Sequence, residues 1–256
     1  MIHPTAIVSP DARLANGVSI GAYSIIGADV EIGEDTTVGA HVVIEGPTRI
    51  GRNNRFSPYS SIGGPPQDKK YANEPTTLEI GDGNTIREFC TFNRGTVQDA
   101  GATRMGNDNW IMAYVHVAHD CQIGSHTIFA NNAQLAGHVL VGDYAILGGF
   151  TVVHQFVHIG VHSISAMGTI LLQDLPPYVT AAGNTARPFG INSEGLKRRG
   201  FSSVALASIK AAYKTLYKSG LTLEQAKTEI AAQASTVREL SPMVEFLQRS
   251  GRGIIR

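Results

Sequence analysis

The sequence predicts an all-β solenoid of hexapeptide repeats followed by a small C-terminal α-helical domain, and three observations carry that prediction. Apolar residues recur every six positions through Ile2, Val8, Leu14, Ile20, Ile26, Ile32, Val38, Ile44, Ile50, Phe56 and Ile62. A second array keeps the same spacing through Met105, Ile111, Val117, Ile123, Phe129, Leu135, Val141, Leu147, Val153 and Ile159. After about residue 172 the six-residue period gives way to helical spacing. Neither an α-helix nor an ordinary strand has a period of six, whereas a stacked solenoid does.

In such a solenoid each hexad supplies one short strand and three hexads complete a triangular coil, so residues 18 apart stack. Successive coils then lie about 4.8 Å apart, the parallel-strand spacing. The aliphatic residue faces inward, and the small residue after it, as in Ile20-Gly21 and Leu135-Ala136, lets the chain turn a tight corner. The 28 glycines agree with that geometry.

Two stretches interrupt the pattern. Between Ile62 and Ile80 the phase would put Asp68 and Glu74 inward, which a dry core rejects, so residues 63–79 are expected to form an external loop. The repeat resumes at Ile80-Gly81, Ile86 and Phe92, then slips by one residue before Met105, which places a second loop at about 94–104. Loops that interrupt a rigid scaffold commonly carry function.

Gln173-Asp174-Leu175-Pro176-Pro177-Tyr178 ends the repeats, and Pro188-Phe189-Gly190 marks a further turn. The expected division is therefore a β-helix over 1–190 and helices over 191–256. Val204, Ile209, Tyr213 and Leu216 read as one helix face, with Gly220 suited to its C-terminal end. Thr222 and Gln225 match a capping box, and Ser241-Pro242 matches another helix start.

The 256 residues carry 21 basic and 21 acidic side chains, so no global charge points to nucleic acid or to an anionic membrane. No segment approaches 18 uninterrupted apolar residues, and the N-terminus lacks the basic and apolar runs of a signal peptide, so no membrane insertion is expected. The two cysteines, Cys90 and Cys121, do not form a disulfide framework and read as reduced, cytoplasmic thiols.

Seven of the nine histidines lie between residues 116 and 162. With Val117 inward and Ala118 at the corner, the register turns His119 outward; His116 is likewise outside. Adding 18 places Gly137 and then Gln155 in the same column, with Asp120 beneath His138 in the next. An imidazole beside a carboxylate, one coil from a side-chain-free backbone, suits a general base and an oxyanion donor. Asp120 also suits an ordinary turn position. His154, His158 and His162 are four apart, but in a solenoid that spacing does not align them, and no metal site is expected.

Gln67, Asp68, Lys70 and Tyr71 give the first loop mixed hydrogen-bonding groups. Lys197-Arg198-Arg199, with Asn192 and Glu194 just before them, could grip a phosphate and a sugar or base. Lys210, Lys214 and Lys218 line one helix face, a ridge suited to an acidic protein.

Gln67-Asp68-Lys69-Lys70-Tyr71, Arg94-Gly95-Thr96-Val97-Gln98, His116-Val117-Ala118-His119-Asp120-Cys121, Leu135-Ala136-Gly137-His138-Val139, Val153-His154-Gln155-Phe156 and Asn192-Ser193-Glu194-Gly195-Leu196-Lys197-Arg198-Arg199-Gly200 occur in this order. Together they resemble the UDP-N-acetylglucosamine acyltransferases of lipid A biosynthesis, over essentially the whole chain. The resemblance implies a left-handed parallel β-helix, a homotrimer with sites in the clefts between subunits, and cytoplasmic location. It implies transfer of an (R)-3-hydroxyacyl chain from acyl carrier protein to the glucosamine 3-hydroxyl of UDP-N-acetylglucosamine, with no cofactor of the enzyme's own. By motif match His119 is the base, Asp120 orients it, and the Gly137 N–H stabilises the oxyanion. Asp68, Lys70, His116, His138, His154 and Gln155 match positions that contact the sugar, the acyl chain or the phosphopantetheine arm, and Asn192, Glu194, Arg198 and Arg199 match nucleotide contacts.

Two departures, Lys69 where the family usually has an apolar residue and Asn93 where it has histidine, alter the surroundings but not the base. Met167 aligns with the family's hydrocarbon ruler, where glycine admits a longer chain, so an acyl group of about ten carbons is expected. Alternatives are the related UDP-3-O-acylglucosamine N-acyltransferase, which carries an extra N-terminal domain, and a zinc-dependent hydratase of the same fold. The hydratase needs ligands five residues apart, and His116 and His154 are followed at that distance by Cys121 and Ile159. Coenzyme A-dependent acetyltransferases place helices before their repeats, and an ice-binding solenoid would want flat, regular faces.

Overall fold

The structure, a computed structural model, describes residues 1–250 and 253–256. Their architecture is a left-handed parallel β-helix followed by four α-helices. Three sheets form the faces of a triangular prism. Sheet 1 has nine strands starting at Ile7–Val8, sheet 2 eight starting at Arg13–Leu14, and sheet 3 ten starting at Ser19–Ile20. The chain visits them in rotation, giving three edges: I from sheet 1 to sheet 2, II from sheet 2 to sheet 3, and III from sheet 3 back to sheet 1.

Most strands contain two residues and pair with the strand 18 residues on, as Ile26 with Ile44 and Val117 with Leu135. The hexad positions from Ile20 onward face inward and are buried. Ile2 is half exposed, at 49%, and Val8 and Leu14 are only partly covered, because the first coil has no coil beneath it. At the corners the small residue is required by contact between backbones: a Cβ on Gly21 would lie 2.5 Å from the Gly39 carbonyl carbon, one coil away.

A second, polar row lines edge II. Asn54 Oδ1 accepts from the Asn84 backbone N–H and side-chain amide, Asn84 Oδ1 accepts likewise from Asn109, and Asn109 Oδ1 accepts from the Thr127 N–H and hydroxyl. These side chains are buried yet satisfied, so they brace the corners without the desolvation cost of orphaned amides.

The two expected interruptions occur, with narrower bounds. Strands Ser61–Gly64 and Thr77–Ile80 confine the first loop to 65–76, and Thr91–Asn93 and Ala102–Met105 confine the second to 94–101. The expected bounds of 63–79 and 94–104 were too wide because only the hexad position was counted as inward. In an extended strand the residue two before it points the same way, which is why Leu78 is buried alongside Ile80 and Thr103 alongside Met105. Both loops leave sheet 1 and enter sheet 2, so both project from edge I.

Beyond Leu171, strand Val179–Ala182 continues sheet 3 and pairs antiparallel with Arg187–Ile191. The helices follow as α1 (Ser193–Arg198), α2 (Ser203–Lys218), α3 (Leu223–Ala234) and α4 (Ser241–Arg249). Ser202 caps α2, Thr222 and Gln225 form the capping box of α3, and Pro242 lies in the first turn of α4. Gly220, at φ +75°, follows the end of α2. Val204 lies in α2 but is 72% exposed; the buried face of that helix is formed by Ala205, Ile209, Ala212, Tyr213 and Leu216. Ile209, Ala212 and Leu216 share a core with Ile230, Leu240 and Met243, while Tyr213 joins the core of the solenoid. The Tyr178 hydroxyl, donating to the Glu239 carbonyl at 2.7 Å, ties the helices to the solenoid.

Candidate active site

His119 and Asp120 follow strand His116–Val117 and turn the corner at edge I. As the register predicts, Val117 is fully buried, whereas the His119 side chain reaches the surface with 15% of its area exposed. Asp120 sits at the left-handed corner position, φ +60°, so it is also a turn residue; its carboxylate folds inward and is fully buried. Asp120 thus occupies a turn position and also contacts His119.

The carboxylate is fully engaged. Asp120 Oδ2 accepts from His119 Nδ1 at 2.9 Å and from the Thr96 hydroxyl at 2.6 Å, and Oδ1 accepts from the Thr96 N–H at 2.8 Å. Burial alone would raise its pKa, but the hydrogen bonds from His119 and Thr96 outweigh it, leaving the carboxyl below its ordinary range. A carboxylate only accepts, so His119 carries its proton on Nδ1 and presents Nε2 as a base.

Gly137 lies one coil above. Its N–H has no hydrogen-bond acceptor among the described residues, and a Cβ placed on it would sit 2.5 Å from His119 Cε1 and 2.7 Å from Nε2. The absence of a side chain is what lets the imidazole stand there. His138 packs edge-on against His119 with ring centroids 5.0 Å apart and stacks on Phe156 at 4.4 Å. Its Nδ1 hydrogen-bonds Asp99 Oδ2 at 2.8 Å, and its Nε2 lies 3.8 Å from Asp120 Oδ2. Ligand-type atoms of His119, Asp120 and His138 lie within 4.8 Å of one another, and Asp120 among them accepts three hydrogen bonds.

His154 and Gln155 are exposed one coil further along the same edge. His116 projects from sheet 1 beside it, its Nδ1 2.7 Å from the Thr91 hydroxyl and its pKa lowered by burial. Asp68 and Lys70 occupy the first loop, where Asp68 Oδ1 accepts from the Lys70 N–H. Arg94, bonded to the Gly46 and Gly63 carbonyls and to the Tyr71 hydroxyl, fastens the second loop to the first. Cys121 adjoins the dyad, but burial pushes its thiol up to about 12, so it is no thiolate nucleophile.

The other expected residues lie elsewhere. Met167, 80% exposed, stands at edge III. Asn192 is buried at the start of α1, accepting from the Gly195 N–H and donating to the His162 carbonyl at edge II. Glu194 pairs with Lys197 at 2.8 Å, Arg198 is exposed, and the Arg199 guanidinium lies 4.9 Å from the Tyr144 ring centre. The residues expected to serve as base, ruler and nucleotide contacts thus lie at three different edges of one prism. The spacing contained this: Met167 is 48 residues after His119, which is not a multiple of 18. Thr96 and Asp99 escaped sequence reasoning because the loop that carries them has no period; only their short polar side chains hinted at a role.

Known proteins resemble this chain along its whole length. The family profile described as UDP N-acetylglucosamine O-acyltransferase, domain 2, matches residues 174–255, and the bacterial transferase hexapeptide profile matches 29–64 and 102–137. The acyl-[acyl-carrier-protein]–UDP-N-acetylglucosamine O-acyltransferase of Thiobacillus denitrificans is 59% identical over 255 residues, covering 100% of this chain and 99% of that protein. The protein of the same name from Neisseria meningitidis serogroup B is 59% identical over 256 residues, with the same coverage. Among solved structures, LpxA from Acinetobacter baumannii superimposes with a TM-score of 0.98 at 46% identity, covering 100% of this chain and 99% of that one. The UDP-N-acetylglucosamine acyltransferase of Francisella novicida gives a TM-score of 0.99 at 43% identity, covering 100% and 94%. With full-length identity of this order and a hydrogen-bonded His119–Asp120 pair on edge I, the chain belongs to the acyl-[acyl-carrier-protein]–UDP-N-acetylglucosamine O-acyltransferase family.

Proposed function

We propose that the chain transfers an (R)-3-hydroxyacyl group from acyl carrier protein to the glucosamine 3-hydroxyl of UDP-N-acetylglucosamine, the opening step of lipid A biosynthesis. The observation that carries the mechanism is the buried Asp120 holding His119 with Nε2 free, directly against a glycine. His119 Nε2 takes the proton of the 3-hydroxyl as that oxygen attacks the thioester carbonyl. The Gly137 N–H steadies the oxyanion, and collapse of the tetrahedral intermediate breaks the carbon–sulfur bond. The His119 imidazolium then returns its proton to the departing phosphopantetheine thiolate. Asp120 stays ionised and stabilises that imidazolium.

The three-edge distribution supports a homotrimer. A cleft between neighbouring prisms can set edge I of one chain against an edge of the next, which a single prism cannot do. In that assembly Asp68, Lys70, His116, His138, His154 and Gln155 face the sugar and the acyl-bearing arm, Met167 stops the acyl chain, and Glu194, Arg198 and Arg199 meet the nucleotide. Asn192 contributes by capping the helix that presents them. The reading needs no metal and no cofactor of the enzyme's own. Both substrates belong to the cytoplasm, and no described helix is long and apolar enough to cross a membrane.

The test is a transfer assay with purified acyl carrier protein loaded with 3-hydroxyacyl chains, comparing wild type with His119→Ala. Removing a general base lowers kcat about 10²–10⁴-fold. Undiminished activity in a variant of unchanged oligomeric state overturns the mechanism.

A further inference from the structure

The loop at 94–101 is anchored at both ends by strands, and its interior reaches the active site. Thr96 is buried, and both of its donors are spent on one carboxylate: N–H to Asp120 Oδ1 at 2.8 Å and hydroxyl to Asp120 Oδ2 at 2.6 Å. Three residues later Asp99, itself half exposed, reaches back to His138 Nδ1 at 2.8 Å. One short segment therefore contacts the carboxylate partner of one imidazole and supplies the carboxylate partner of the other. We propose that Thr96 and Asp99 are positioning residues for the acyl transfer, Thr96 fixing the Asp120 carboxylate that holds His119 and Asp99 fixing the ring of His138.

The physical reason lies in the corner. Asp120 is held at φ +60° with its own N–H given to the Thr103 hydroxyl, so its backbone cannot move to seek partners. A fully buried carboxylate with only His119 as donor would leave lone pairs unsatisfied, which is costly. Thr96 fills them, its N–H on Oδ1 and its hydroxyl on the same Oδ2 that meets His119, and so sets the plane of the carboxylate. Its two donors also spread the negative charge, so the carboxylate holds the His119 Nδ1–H without drawing excess positive charge onto the ring. Asp99 acts on His138 from the solvent side. A carboxylate only accepts, so His138 keeps a proton on Nδ1 and turns Nε2 towards Asp120 and the space beside His119. Arg94, at the base of the loop, binds the Gly46 and Gly63 carbonyls, which fixes the height at which Thr96 meets Asp120.

This inference rests on His119 being the base, so the experiment carries His119→Ala alongside Thr96→Val, Thr96→Ser and Asp99→Ala in the same transfer assay across pH. Thr96→Val is expected to lower kcat by about tenfold to a hundredfold, the range for loss of a charge-assisted hydrogen bond, with little change in KM for the sugar nucleotide. Its acid limb of kcat/KM should move to higher pH, because a less compensated carboxylate makes His119 hold a proton more tightly. Thr96→Ser, which restores the hydroxyl, should recover most of the rate and the wild-type profile. Ring nitrogen NMR of the wild-type protein supplies a second measurement that needs no variant: both His119 and His138 should be protonated at Nδ1, and Asp99→Ala should release that preference at His138 alone. Inactive His119→Ala with a wild-type rate and pH profile in Thr96→Val overturns the positioning role and leaves the base intact. Either ring protonated mainly at Nε2 in the wild type overturns it as well, and an active His119→Ala removes the reading beneath it.

Discussion

Gly137→Ala should disable the enzyme while leaving its fold and its oxyanion donor in place. The new methyl carbon would lie 2.5 Å from His119 Cε1, 2.7 Å from Nε2 and 3.1 Å from Nδ1. Carbon atoms pack at about 3.5–4.0 Å, so the imidazole must retreat by roughly 1 Å. It has little room to do so: Asp120 holds Nδ1 at 2.9 Å, and His138 stands against the ring. Retreat either stretches the bond to Asp120 or swings Nε2 off the line of attack. A misplacement of about 1 Å costs on the order of a hundredfold in rate, about 2.7 kcal/mol in activation free energy. The alanine retains its N–H, so loss of oxyanion stabilisation does not account for the defect. The φ of Gly137 lies outside the left-handed region, so alanine adds no backbone strain, and any fall in melting temperature reports the clash with the His119 ring. Steady-state kinetics with 3-hydroxyacyl carrier protein should show the loss in kcat rather than in KM. A folded Gly137→Ala protein within about threefold of wild-type kcat refutes the claim that this glycine exists to seat the base.

Met167→Gly should shift preference towards longer acyl donors, each methylene admitted being worth about 0.8 kcal/mol, or nearly fourfold; competition between carrier proteins bearing different chains reads it directly, and an unchanged preference removes the ruler assignment. His162 gives a pH prediction. Burial, with the nearby Arg199 charge, lowers it from 6.5 to about 4, partly offset by Asp143, and its Nδ1 is buried without a partner among the described residues. Between those two values the unfolded chain binds the proton and the folded chain does not, so stability falls as pH drops from 6.5 towards 4 and levels off below. His162→Phe keeps a ring for the stack with Tyr144 and Tyr178 and should flatten that slope in thermal melts from pH 7 downward; a slope equal to wild type assigns the acid loss to other groups.

The scaffold and the base were legible for one reason, the strict stacking of coils. Once Val117 is inward, His119 must reach the surface and Gly137 must lie above it, and the structure places both there. What the period does not govern was harder to read. Leu78 escaped because alternation within a strand adds a second inward position that a count of six omits. Ile2, Val8 and Leu14 keep the period yet remain partly exposed, since burial needs a coil on both sides. The buried asparagine row at edge II has no apolar signature, and its identity as a ladder depends on the lengthened coils at 65–76 and 94–101, which put Asn54, Asn84 and Asn109 at separations of 30 and 25 residues. Asn192 was legible as a polar residue before a basic cluster, but its role as the cap of α1 depends on the local turn.

The location of the dyad follows from how the edges are closed. At edge III, rings of Tyr23, His41, Tyr59, Phe89 and Tyr114 stack in sequence at the left-handed corner position, with centroids 4.9 to 5.2 Å apart. At edge II the same position carries His126, Tyr144, His162 and Tyr178, again stacked. These ladders cover their corners with rings. Edge I has a ladder of two, His138 on Phe156, and one coil below them the corner position holds Asp120, at nearly the same φ. A ring there would have covered the corner and left His119 without a partner. The carboxylate instead turns inward, and the space a ring would have filled is closed by the loop bearing Thr96. Asp29, Asp35 and Asp108 hold the same left-handed corner position but stay exposed, so what sets Asp120 apart is a carboxylate turned inward beneath a loop. The interruption of the period at 94–101 supplies the hydrogen bonds that make a buried charge tolerable there.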